Sequence, residues 1–385
     1  MKLEHNISRI NHLLEMYRMN VPEFLQNISV GLKSPITKED VFGDSIKLSY
    51  LKRVDKLFEK GLHYYLDPKA PETSKEASVF FRKQNFQTKE LNLGAIKIVT
   101  KFEELKLSLS AIAKLSDLDF KRKIATYSIN QNPKLVAEEI RNLLYPTFEK
   151  NRRDLLKALI ATFASKNILV FEFIETWNKK DKANIDGFYL KPNMIVLKRH
   201  QTFSREIFTL AHELGHYLID EEEIEEINYN VLAKHGQSLI EKWCNDFAFY
   251  FLAGKYADYL DSLEKASPYN DYHHGIIEEI SQNTHLSKLA LFTRLLFNKQ
   301  ISKAHYSLVK NEFDEQYRQR EEEKRIQKEL DKESGVKQRG SVAKPIPSPL
   351  FISTIQAAYY EGVLNEYEVC EKLNIKPEKL EKYIE

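Results

Sequence analysis

The stretch Thr209-Leu210-Ala211-His212-Glu213-Leu214-Gly215-His216-Tyr217-Leu218-Ile219-Asp220 holds the one pattern in this chain that names a chemistry, H-E-x-x-H. On a helix, residues four apart project from the same face, so His212 and His216 can hold one metal ion between two imidazoles. Glu213 starts one step around the helix and can reach a metal-activated water as general base. Phe208, Leu210, Ala211, Leu214 and Leu218 are apolar at positions that suit a buried or half-buried helix. Ser204 is the expected N-cap, and Glu206 suits the positive first turn. The pattern alone also fits a core helix whose two histidines are hydrogen-bonded and bind nothing.

A third ligand separates these readings, because catalytic zinc usually keeps three protein ligands and one open position. Downstream, Ile240, Trp243, Phe247 and Phe251 form an apolar face at helical spacing, and Glu241, Asn245, Ala248 and Leu252 form the neighbouring stripe. A carboxylate between Ile240 and Trp243 is costly to bury without a partner, and a metal ion removes that cost. Otherwise Glu241 is an exposed edge residue beside Lys242. Asn245, one turn on, can orient a ligand from behind. His235, just before this helix, is a candidate transition-state donor. His273, His274 and His285 read as surface or hydrogen-bonded residues. Cys244 has the spacing to face the site but reads as a buried, inert thiol.

The segment Arg205 to His216, with its F-T-L-A-H-E-L-G-H core, resembles the signature of the ImmA/IrrE metallopeptidases. That family follows it with a helix of the form E-x-E-A-N-x-F-A-x-x-L-L, which Glu241, Asn245, Phe247, Ala248 and Leu252 match. Asn184 to Leu190 and Met194 to Leu197 resemble the family's strand pair ahead of the active helix. Trp243 replaces the family's second Glu, Cys244 replaces Ala, and Ala253-Gly254 stands where the family has Met-Pro. The resemblance implies a zinc endopeptidase with Zn2+ held by His212, His216 and Glu241, and Glu213 as base. It also implies a protein substrate, a repressor or antitoxin-like DNA-binding regulator whose cleavage derepresses a stress, mobile-element or toxin–antitoxin operon. The short strand Gly187, Phe188, Tyr189 and Leu190 is placed to pair with an extended substrate.

The chain has 385 residues and is 42% hydrophobic, enough for several domains with a real core. The expected fold is α+β: a mainly helical, multi-domain chain with a zincin-like peptidase core, a small sheet packed on the H-E-x-x-H helix and the third-ligand helix. Residues 1–68 read as short helices resembling, loosely, an Xre-type helix-turn-helix. Residues 69–148 are a helical connecting region, with a Phe80-Phe81-Arg82 segment of a kind common between the family's modules and a helical period over 96–145. The peptidase domain takes 149–310, a charged helix and flexible linker 311–349, and a small helical module 350–385. The acidic stretch Asp220 to Glu226 reads as a solvated face.

No apolar run of membrane-spanning length and no signal-peptide core is evident, so no membrane association is expected. Two distant cysteines, Cys244 and Cys370, imply no disulfide framework and fit a reducing cytoplasm. A formal charge of +2 gives no electrostatic case for nucleic acid, so DNA binding is expected to be weak. The competing reading is a transcriptional regulator or antitoxin in which the peptidase fold is a partner-binding or sensor domain. A basic recognition helix would favour it, yet Lys33, Lys38, Lys47, Lys52 and Arg53 are scattered. The complete H-E-x-x-H argues for a working enzyme.

Overall fold

The computed structural model describes residues 1–17, 19–71, 91–175, 182–199, 202–222, 238–333 and 344–384. The chain divides into two compact units, Met1–Glu103 with Asp181–Ala183, and Glu104–Lys180 with Asn184–Glu385. In the first, β1 (Lys2–Leu3) is followed by α1 (Ile7–Met16), α2 (Val21–Ser29) and α3 (Lys38–Phe42). Then come β2 (Ile46–Lys47), antiparallel to β1, α4 (Leu48–Phe58) and α5 (Leu62–Leu66). Side-chain caps start the first three helices: Asn6, Asn20, and a Thr37–Asp40 capping box. Their apolar faces meet in a core of Ile10, Leu13, Phe24, Val41, Leu51, Val54, Phe58 and Tyr65. The Phe-Phe-Arg segment lies outside the described residues.

The helical period expected over 96–145 resolves into α6 (Leu93–Leu115) and, after the non-helical residues 116–132, α7 (Pro133–Leu144). Asp117, with φ 50°, takes a left-handed conformation that turns the chain off the helix axis. The peptidase core follows as α8 (Arg152–Ser165), β3 (Leu169–Phe173), β4 (Gly187–Leu190), β5 (Met194–Lys198), α9 (Phe203–Ile219) and α10 (Leu239–Ala253). The sheet order is β3-β5-β4. β5 runs parallel to β3 and antiparallel to β4, with Phe188 opposite Val196. β4 is therefore an edge.

α9 packs on α8, β4, β5 and α10, and α10 packs in turn on α7. One core joins them, including Leu155, Leu159, Ile195, Leu210, Leu214, Phe247 and Phe251. Thr202, not Ser204, occupies the N-cap position of α9, and its side chain makes no capping bond. The first turn instead holds Glu206, which is buried and ion-paired to Arg199. In the described part of the acidic run Glu221 is exposed as expected, and Glu222 departs from the expectation. Glu222 is 4% exposed, and Asp220, in the left-handed C-cap of α9, pairs with Arg122 and Lys191. Glu222 leaves solvent because a backbone donor sits against it, whereas Asp220 stays half-exposed beside its two cations.

Beyond α10 the chain forms α11 (Tyr256–Asp261), α12 (His274–Thr284), α13 (Lys288–Phe297) and the long α14 (Lys303–Glu333), whose charged distal half is solvated. α15 (Pro349–Tyr360), α16 (Glu366–Leu373) and α17 (Glu381–Ile384) close the chain. Ile346, just ahead of α15, donates its backbone N–H to the Glu172 carboxylate on β3, which ties this module to the sheet. Among the described residues no helix is long and apolar enough to cross a membrane.

Candidate metal centre

α9 and α10 lie close because Gly215 faces Cys244. A Cβ on Gly215 would meet Cys244 Cα at 3.1 Å and its Cβ and Sγ at 3.2 Å. That approach brings His212 and His216 of α9 against Glu241 in the first turn of α10, where Ser238 Oγ accepts the Glu241 backbone N–H. The two Nε2 atoms are 3.2 Å apart, His212 Nε2 is 3.1 Å from Glu241 Oε2, and His216 Nε2 is 3.1 Å from Glu241 Oε1. Among the described residues this is the group of His, Cys, Asp and Glu side chains that can hold a metal ion. The edges of the triangle approach the ~3.3 Å edge of a tetrahedral shell with bonds of about 2.0–2.1 Å.

The hydrogen bonds behind the imidazoles fix which nitrogen faces the site. His212 Nδ1 donates to Asn245 Oδ1 at 3.0 Å, and His216 Nδ1 donates to the backbone carbonyl of Glu221 at 3.1 Å. With the proton on Nδ1, each Nε2 presents a lone pair, and both point at a carboxylate that is 2% exposed. Three converging electron-rich atoms need a cation among them. Lacking a metal, a proton takes the place. Burial pulls the His212 pKa down, but the adjacent Glu241 carboxylate outweighs it and pushes it up to about 9. Burial pushes Glu241 up, and His212 and His216 more than reverse this, holding it well below the usual carboxylate range. The donor set and its spacing therefore fit a small divalent cation.

Glu213 is buried on the same turn of α9 and raises the His212 pKa through its own charge. β4 reaches it at Gly187. A Cβ there would lie 2.6 Å from Thr209 Cγ2, 3.1 Å from the Val196 carbonyl oxygen and 3.3 Å from Glu213 Cγ. The missing side chain lets the edge strand pass beside the acid. Phe188, Tyr189 and Leu190 are all buried.

Residues 166–295 match the family model described as Peptidase_M78: IrrE N-terminal-like domain. No curated protein and no solved structure shows a significant match to the chain. The M78 match spans the sheet, α9 and α10, and so contains His212, Glu213, His216, Glu241 and Asn245. A metallopeptidase-type domain is thus supported by both sequence and geometry.

The other candidate residues fall away from the centre. Trp243, which stands in for a family Glu, donates its indole N–H to the Gln131 carbonyl at 2.8 Å and stacks on Phe247. Cys244 is buried against Gly215 and is not among the clustered donors. His273 and His285 are hydrogen-bonded through Nε2 to the carbonyls of Glu264 and Glu149, at 2.8 and 2.7 Å. His274 lies against Phe292. His235 lies outside the described residues. Sequence reasoning missed the Glu221 carbonyl, because a backbone acceptor carries no residue signature. It also missed the reason for glycine at 187 and 215, although glycine inside a strand and inside a helix each mark a close approach.

Proposed function

We propose that this chain is a zinc-dependent endopeptidase that cleaves a protein partner, a repressor or antitoxin-like DNA-binding regulator, and thereby controls a stress, mobile-element or toxin–antitoxin operon. The observation that carries the reading is the convergence of His212 Nε2, His216 Nε2 and Glu241 on one point, with Glu213 buried beside them. Two imidazoles and one carboxylate are the donors zinc takes in hydrolytic sites, whereas structural zinc sites are closed and rich in Cys. Bound there, zinc supplies a Lewis acid and lowers the pKa of a water to near neutrality. Glu213 accepts the proton of the attacking water and delivers it to the departing amine as the peptide C–N bond breaks. β4, at the edge of the three-stranded sheet, would take an extended backbone as an added strand, fixing the scissile bond without reading sequence. The substrate class rests on the family resemblance.

The test compares cells carrying the wild-type chain with cells carrying Glu213→Gln, with the products of neighbouring genes followed at the protein level. The substrate is the protein that disappears in the wild type and persists in the variant. Identical protein profiles under every inducing condition tried, with both chains metal-loaded, would sink the reading.

A further inference from the structure

The turn that leaves α9 does two things at once. Its Glu221 carbonyl accepts from His216 Nδ1 at 3.1 Å. The residues on either side are fastened to the end of β4. Glu222 Oε1 accepts the backbone N–H of Lys191 at 2.7 Å. Asp220 Oδ1 accepts the Tyr189 hydroxyl at 3.0 Å, and Lys191 Nζ lies 3.3 Å from Asp220 Oδ2. Arg122 closes the turn from the far side. Its guanidinium lies 3.8 Å from the centre of the Tyr217 ring, donates to the Leu218 carbonyl at 3.3 Å and pairs with Asp220 at 3.5 Å.

We infer that Glu222 is a positioning residue for the metal centre: by holding Lys191, it fixes the turn whose Glu221 carbonyl orients His216, so that the edge strand and the histidine keep one mutual geometry. A solvated Glu222 would need no such bond. Buried, it is costly unless its oxygens are engaged, and the Lys191 N–H has just left the sheet and has no ladder partner. Residues that orient a metal-binding histidine by accepting its second N–H typically set metal affinity by ten- to a hundredfold. Glu222 acts one bond further out, through the position of the carbonyl. The inference rests on His216 being a metal ligand, as in the reading above.

The experiment uses the metal-free full chain, titrated with Co2+ and followed by its visible absorption. The wild type, Glu222→Ala and Glu222→Gln are compared. Glu222→Ala should bind Co2+ about tenfold more weakly and alter the ligand-field bands, as His216 swings. Glu222→Gln keeps a carbonyl oxygen for the Lys191 N–H and should return to within a few-fold of wild type with its spectrum restored. If Glu222→Ala does not fold, Tyr189→Phe loosens the same turn from the strand side and should weaken Co2+ binding several-fold. An alanine (or, failing that, phenylalanine) variant with wild-type affinity and spectrum overturns the inference. So does a Gln variant as weak as Ala, which would implicate charge rather than the bond to the strand. A wild-type chain that takes up no Co2+ refutes the metal-site reading itself.

Discussion

Metal uptake should follow a proton. In the metal-free protein the lone pair of His212 Nε2 is held by a proton, because the Glu241 carboxylate raises this imidazole to about 9 against the burial that would lower it. A metal takes only the neutral imidazole, so below that value it must first displace the proton. At pH 7 the proton must be displaced against that raised pKa, which weakens apparent affinity by on the order of a hundredfold. The sign follows from the direction of the shift. The folded pKa is raised above the usual imidazole value of about 6.5, so the proton-bound pair stabilises the metal-free fold fully below about 6.5. That contribution is lost as pH rises through about 9. Metal-induced stabilisation should therefore grow with pH across this window, by about tenfold in affinity per unit, and level off above it. Calorimetric titration with zinc under a competing chelator, in buffers of different ionisation enthalpy, counts the protons released. Close to one proton per metal is expected at pH 7, falling toward zero above about pH 9. A flat affinity from pH 7 to 9 with no proton released would refute the pairing of His212 with Glu241 and with it the shared site.

Two substitutions test the scaffolding around this centre. Asn245→Ala removes the acceptor behind His212 and should weaken metal binding by about ten- to a hundredfold while the circular dichroism spectrum is kept; an unchanged chelator-competition curve would count against its role. Gly187→Ala inserts a methyl against Thr209, the Val196 carbonyl and Glu213, and should lower unfolding stability by about 1–3 kcal/mol in a denaturant melt. It should also slow hydrolysis more than it weakens metal binding, and equal losses in both would show that Glu213 is not the group displaced.

How much of this was legible in the sequence depends on what kind of atom carries each role. Helical period places side chains on faces, so the His212–His216 pair and the Glu241–Asn245 stripe could be read from spacing, and the two short strands around Lys191 to Asn193 could be read beside them. Period says nothing about the ends of elements. The N-cap position falls at Thr202 rather than Ser204, because a helix anchored by buried contacts needs no side-chain cap. Nor does period show that a run of acids is buried. Glu222 belongs to a stretch that reads as solvated, and only the fold reveals that it accepts the backbone N–H of Lys191. The Glu221 carbonyl depends on a left-handed residue at Asp220, a conformation the sequence permits at many positions.

The contact between Gly215 and Cys244 gives the centre a fixed bore. Side chains that hold a metal on flexible loops can spread to suit the ion, but here the spacing between the two donor-bearing helices is set where one backbone rests on another residue, with 3.1 Å between a would-be Cβ and Cys244 Cα. An ion such as calcium, with bonds of about 2.3–2.6 Å and a demand for six or more oxygens, would have to push the helices apart along a well-packed seam. Size discrimination would thus reside in a residue outside the donor set. Residue 215 is in effect a spacer of zero length. Lengthening it by one carbon would widen the bore and shift preference toward larger cations before it abolished binding.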